Sequence, residues 1–165
     1  YAKIEALNIK EINQGFIDRK NYYLSITSFF ENEFENSKNY LLLISSLSDS
    51  SKKIISKLYN SAEKNHLNPN PKVASFLSMV LPGSGQIYCG ELKSGINSFL
   101  LTGAALTAFT LINIRYSFFD AILGIFPYYQ RYYTGGVINA QNIAENKIKM
   151  KKVETVKKIN EIILN

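Results

Sequence analysis

Twenty consecutive residues, Gly95 to Ile114, carry no charge, and that run constrains this chain more than any other feature. A helix rises about 1.5 Å per residue and a bilayer's hydrocarbon core is about 30 Å thick, so roughly twenty apolar residues suffice to cross it. A buried helix of a large soluble core would read the same way, but 165 residues supply no such core. The surrounding charges agree: positions 73 to 146 hold only Glu91, Lys93, Arg115, Asp120, Arg131 and Glu145, while the other 91 positions hold 26 charged residues. The reading is an all-α integral membrane protein with polar ends.

Two further apolar stretches flank the first. Val73 to Tyr88 is interrupted at Pro82, Gly83, Ser84 and Gly85, where proline removes a backbone donor and clashes with the preceding turn; it forms either a kinked span or two half-helices meeting at membrane depth. Phe118 to about Val137 contains Pro127 and ends in Tyr128, Tyr129, Arg131, Tyr132 and Tyr133, residue types suited to a headgroup boundary. About three transmembrane segments are expected, the first one broken. Within the middle span Gly103, Ala104, Ala105 and Ala108 offer small side chains for close helix packing.

Composition divides the chain into a helical head at 1–67, a linker at 68–72, a transmembrane domain at 73–138 and a basic amphipathic helix at 139–165. In the head, Ile4, Leu7, Ile12, Phe16 and Ile17 recur at helical spacing, as do Tyr22, Tyr23, Ile26, Phe29, Phe30 and Phe34 after a polar break at Asp18 to Asn21, which predicts a helical hairpin. A second pair is predicted over Tyr40–Leu47 and Ser51–Lys64, with Asp49, Ser50 and Ser51 as capping candidates. Gly15 to Phe30 resembles one tetratricopeptide unit, and such repeats need about three neighbours to close a core.

The segment from Leu81 to Gly95, LPGSGQIYCGELKSG, resembles the signature of bacterial small membrane proteins related to the two-helix transmembrane domain family, and the later YYTGGVINAQNIA from Tyr132 resembles the motif that follows the last helix in versions bearing a tetratricopeptide-like head. The resemblance covers roughly Pro71 to Asn146 and implies an architecture rather than an activity. On physical grounds Pro82, Gly83, Gly85, Gln86, Tyr88, Gly90, Lys93 and Gly95 form a membrane corner: the glycines let a reversing backbone pass close to another segment, and Gln86 has donors and an acceptor with which to satisfy amides released near Pro82. Gly83-Ser84-Gly85 lacks the further glycine or Gly-Lys-Ser/Thr of a phosphate loop.

Asp120 and Arg131 are the ionisable candidates inside the apolar zone; eleven residues apart, they lie about 16 Å apart along a continuous helix and each needs another partner. Lys147, Lys149, Lys151 and Lys152 lead the basic tail, whose Ile148, Val156, Ile159 and Ile163 keep helical register. An anionic lipid surface is its first expected partner; nucleic acid ranks lower because stacking aromatics are absent. One His and one Cys make most zinc sites and any disulfide framework within the chain impossible, His66 reads as a solvated side chain and Cys89 as a small buried hydrophobe, and no cofactor, metal or catalytic constellation is expected.

Positive charge favours a cytoplasmic tail. With three spans the head would then be periplasmic, in keeping with a chain that begins at Tyr1 as a processed protein or a fragment would; if the first segment dips and returns, the head becomes cytoplasmic instead. The expected role is a non-catalytic accessory subunit of the bacterial inner membrane, docking onto a larger complex in protein export, insertion or envelope assembly, with a small oligomeric transporter or channel built around Gln86, Asp120 and Arg131 as the alternative.

Overall fold

The computed structural model describes residues 14–65 and 68–164, and within them every regular element is a helix, with no strand. It divides into two compact units, one formed by residues 1–66 together with 151–165, the other by 67–150. Ile4, Leu7, Ile12 and His66 lie outside the described residues.

The first unit contains α1 (Gln14–Phe30), α2 (Phe34–Leu42), α3 (Asp49–Asn65) and the C-terminal part of α8 (Phe126–Leu164). α1 runs straight through Asp18 to Asn21, where the hydrophobic pattern predicts a break. Asp, Arg, Lys and Asn are all compatible with a helix interior, and here they are anchored. Asp18 accepts hydrogen bonds from the Ser45 amide (3.1 Å), the Ser45 hydroxyl (2.7 Å) and Gln14 Nε2 (3.2 Å). Desolvation opposes its charge, yet these donors hold its carboxyl below the ordinary value. The reversal falls later, at Glu31 to Glu33, where Asn32 adopts a left-handed φ of 69°. Asparagine is among the side chains that tolerate this region best. α3 is capped by Ser48, whose Oγ accepts from the Ser51 amide at 3.1 Å, one residue before the sequence-predicted caps.

Phe29, Phe34, Leu41, Ile44, Leu47, Ile55, Tyr59 and Ile159 form this unit's core. Phe34 and Tyr59 meet the Phe29 ring edge-on at 5.3 and 5.5 Å. Ile159 comes from the lysine-rich C-terminal segment, so that segment is not a free surface tail: its apolar stripe completes the head's core. Two polar contacts fix it further, Tyr22 Oη donating to Asn160 Oδ1 at 2.8 Å and Lys152 Nζ donating to the Phe30 carbonyl (3.0 Å) and Asn32 Oδ1 (2.7 Å) at the end of α1.

Tyr59 carries a pH dependence. Its hydroxyl lies 2.9 Å from Ser25 Oγ and 2.7 Å from Ser37 Oγ, and all three residues are buried. Burial pushes the phenol's pKa up, against the downward pull of the two serines. The neutral phenol is therefore the form that the fold favours: its contribution is whole below the unfolded value of about 10 and is lost as pH rises through the higher folded value. Thermal denaturation followed by circular dichroism between pH 7 and 11 should show the alkaline loss in the native chain and a flatter limb in Tyr59→Phe. At pH 7 that variant should cost about 1–2 kcal/mol, because two buried serine hydroxyls lose a partner.

The second unit begins with α4 (Pro71–Val80), α5 (Ser84–Tyr88) and α6 (Leu92–Arg115). Pro71 stands at the first helical position, and the Asn70 side chain accepts from the Lys72 and Val73 amides, a start signal written in the sequence. α4 is only ten residues, about 15 Å, half a hydrocarbon core. At Pro82-Gly83 the chain turns back, and the Asn70 amide donates to Tyr88 Oη at 3.2 Å, so both feet of the α4–α5 hairpin stand at one end. This first apolar stretch is thus two short helices folded as a hairpin and not one continuous helix. α6, 24 residues and about 36 Å, is the one helix among the described residues long and apolar enough to cross a bilayer, and little of it is buried within the chain.

The third apolar stretch is not one helix either. α7 (Phe118–Gly124) is separated from α8 at Ile125. The Ser117 hydroxyl caps α7 by accepting from the Asp120 amide at 3.2 Å, and Phe109 meets Phe118 edge-on at 6.4 Å across the α6–α7 turn.

Candidate functional site

The candidate site is the corner where α4, α5, the start of α6 and the part of α8 around Gly136 converge. Four glycines allow it. Gly83 has φ +92°, and a Cβ there would collide with the Gly95 carbonyl oxygen. At Gly85 an added Cβ would run into the Ala74 carbonyl oxygen and lie 2.5 Å from Ser78 Oγ. At Gly95 it would lie 2.5 Å from Ile87 Cγ1 and 2.7 Å from the Gly83 oxygen, and at Gly136 it would lie 2.5 Å from Ser98 Oγ. Backbone packs on backbone here. Gly90, with φ +80°, supplies a left-handed turn into α6 and has no such close neighbour.

Through this junction runs a buried polar relay. The Gly85 amide donates to Ser78 Oγ (3.1 Å), the Ser78 hydroxyl donates to Gln86 Oε1 (3.0 Å), and Gln86 Nε2 donates to the Gly136 carbonyl (2.8 Å). Ser78 and Gln86 are almost wholly buried. Gln86 therefore does a different task from the one its sequence position suggests. It ties α5 to α8, while the Ser84 hydroxyl covers the carbonyls next to Pro82, donating to Leu77 (2.6 Å) and Leu81 (2.8 Å). A satisfied primary amide in an apolar unit specifies register, since a one-residue slip would orphan both of its ends.

Around the relay, Ala74, Cys89, Ala140 and Ala144 form a small apolar cluster. Cys89 is 5% exposed, a buried hydrophobe as expected. Tyr133 Oη donates to the Met79 carbonyl at 2.7 Å, and Asn139 Nδ2 donates to Ser94 Oγ at 3.1 Å. Lys147 Nζ sits 2.9 Å from Glu91 Oε1, a partly exposed ion pair of small energetic weight that marks the corner's outer rim.

Of the corner residues named from sequence, Pro82, Gly83, Gly85, Gln86, Tyr88, Gly90 and Gly95 meet within this one junction, while Lys93 is exposed on the first turn of α6. The proposed packing stripe on α6 fares otherwise: a Cβ at Gly103 would meet nothing within 4 Å, Ala104 is exposed and Ala108 half-buried, whereas Thr102 and Ala105 are the buried residues. The close packing lies lower on α6, at Gly95 and Ser98. Asp120 and Arg131 stand on separate helices, Asp120 engaged with the Ser117 hydroxyl at 2.9 Å. Lys147 belongs to the ion pair, Lys149 is exposed, and Lys151 and Lys152 fall in the first unit.

Sequence reasoning missed Ser78, Gly136, Ala140 and Ala144. A signal was present for three of them: Gly136, Ala140 and Ala144 recur every four residues, the spacing of one helix face built for close approach. No family model, curated protein or solved structure matches this chain.

Proposed function

We propose that this chain is a non-catalytic accessory subunit of the bacterial inner membrane, related to the small two-helix membrane proteins that its Pro-Gly-x-Gly-Gln corner resembles, which docks onto a larger complex in export, insertion or envelope assembly. The observation that carries the reading is the contrast within the second unit. Its interior is a glycine-tight corner held by the Ser78–Gln86–Gly136 hydrogen bonds, while α6 turns Ile96, Phe99, Leu100, Leu106, Leu111 and Ile114 outward. In water so continuous an apolar face would aggregate; in a bilayer it meets acyl chains or a neighbouring helix.

The core that Phe29, Ile55 and Tyr59 share with Ile159 supports a topology in which the head and the C-terminal segment lie on one side of the bilayer, and the positive charge of Lys147, Lys149, Lys151 and Lys152 favours the cytoplasmic side for both. On this reading the apolar zone between them crosses an even number of times, α6 making one crossing and α7 with the start of α8 the other.

In a Cys89→Ser background, Tyr116→Cys at the exposed α6–α7 turn should react with a membrane-impermeant maleimide in intact spheroplasts, whereas Lys53→Cys on α3 should react only after lysis. Reaction of both from outside would overturn the two-crossing arrangement. Purified at native expression in mild detergent, the chain should migrate within an assembly well above its own 18.7 kDa; recovery as a lone monomer would sink the accessory role.

A further inference from the structure

Beside the corner, between the first turns of α6 and the facing turns of α8, lies a half-open groove of about 340 Å³. Its polar lining comes from Ser94, Asn97, Ser98, Arg131 and Asn139, with Gly135 and Gly136 as a floor open to backbone approach and Leu101 and Tyr132 at the lip. It contains no carboxylate, and among the described residues none pairs with Arg131. Glu91, the nearest acid in sequence to the α6 side of the groove, is neutralised by Lys147.

Its donors are waiting. The Ser98 hydroxyl oxygen is buried without a hydrogen-bond partner. Ser94 Oγ accepts from Asn139, which leaves its own proton to donate. Unmet buried hydroxyls cost about 1–3 kcal/mol each, so a site that leaves them open is completed by an acceptor. A guanidinium fork with converging hydroxyl and amide donors and no acid matches a phosphate.

Depth selects among phosphates. α6 is about 36 Å long against about 30 Å of hydrocarbon, which leaves about 6 Å outside; with the uncharged run Gly95–Ile114 in the hydrocarbon, Ser94 stands at the headgroup boundary and Ser98 about 6 Å below it, within reach of a phosphate and its ester groups. Phe99, Leu100 and Leu101 follow immediately, exposed, where acyl chains would run.

We propose that this groove seats the phosphate of an anionic phospholipid from the leaflet on the corner's side, with Arg131 as its charge partner and Ser94 and Ser98 as donors. The site rests on α6 crossing the bilayer. It anchors the accessory subunit in anionic membrane independently of the basic C-terminal segment.

The test uses the full chain with vesicles of phosphatidylcholine alone or with phosphatidylglycerol, first by flotation, then by native mass spectrometry of lipid retained from detergent. Flotation with both vesicle types and about fivefold preferential retention of phosphatidylglycerol is the expected result, the scale set by one well-placed cation. Arg131→Gln should remove that preference, Arg131→Lys should keep part of it, and Lys149→Gln should leave it unchanged. Failure to float with either vesicle would overturn the membrane reading itself. Flotation without lipid preference, or a preference that survives Arg131→Gln and Gly135→Leu, would overturn the site alone. So would equal competition by soluble glycerol phosphate, which would assign the groove to a free phosphate, or a stoichiometric polypeptide lost on Arg131→Gln with lipid retention unaltered, which would assign it to a partner helix.

Discussion

Gly85→Ala is expected to open the glycine corner, at a cost of about 3 kcal/mol, the upper part of the range for overpacking. A single methyl group has this effect because what it strikes cannot rotate away: the new Cβ meets the Ala74 carbonyl oxygen, which belongs to the backbone of α4, and Ser78 Oγ, which is fixed by the Gly85 amide on one side and Gln86 on the other. Relief requires α4 and α5 to separate, and separation breaks the relay to Gly136 as well. Cys89, the chain's one cysteine, reports the outcome directly, since it packs against Ala74, Ala140 and Ala144. Its maleimide reactivity in mild detergent should be slow in the native chain and rise about a hundredfold in Gly85→Ala, the factor that ~3 kcal/mol of lost protection implies. Gly103→Ala, on the same unit but with open space at its Cβ, should leave the rate unchanged. Equal protection in both variants would mean that the corner is not the close-packed junction described.

The corner was legible in the sequence because glycine and proline act locally. Gly83 and Gly90 hold positive φ values that other residues resist, so their positions announce reversals whatever surrounds them. The partner of the corner was harder to see. Gln86 bonds Gly136 fifty residues away, and nothing near Gln86 distinguishes that acceptor from the amides around Pro82. On α6 the glycine and alanines at 103 to 108 suggested packing by composition, but the helix has a whole circumference to present, and which arc meets α8 is decided by the chain's return at Ser117 and Ile125. The head shows the same limit. Helical periodicity located α1 and α3, yet the polar run at Asp18 to Asn21 read as a turn because the donors that anchor it come from Ser45, on a loop twenty-seven residues on. The lysine-rich C-terminal segment looked like a lipid-surface tail because amphipathicity states that a helix has an apolar face without saying what covers it.

What covers it is the head, and Ile159→Asp measures how much depends on that. Ile159 is wholly buried in the cluster with Phe29, Ile55 and Tyr59. A carboxylate placed there must be protonated or hydrated, and either route costs about 4 kcal/mol or more, comparable to the whole stability of a small unit. Limited proteolysis should cut α1 to α3 rapidly in Ile159→Asp, while Ile159→Val, which removes one methyl group at about 1 kcal/mol, should stay resistant. Cys89 protection, which reports the corner and not the head, should be retained in both variants. An Ile159→Asp chain with a protease-resistant head would show that the C-terminal segment is dispensable to it, and the proposal of an even number of crossings would then lose its support, since it rests on the core that Ile159 shares with Phe29, Ile55 and Tyr59.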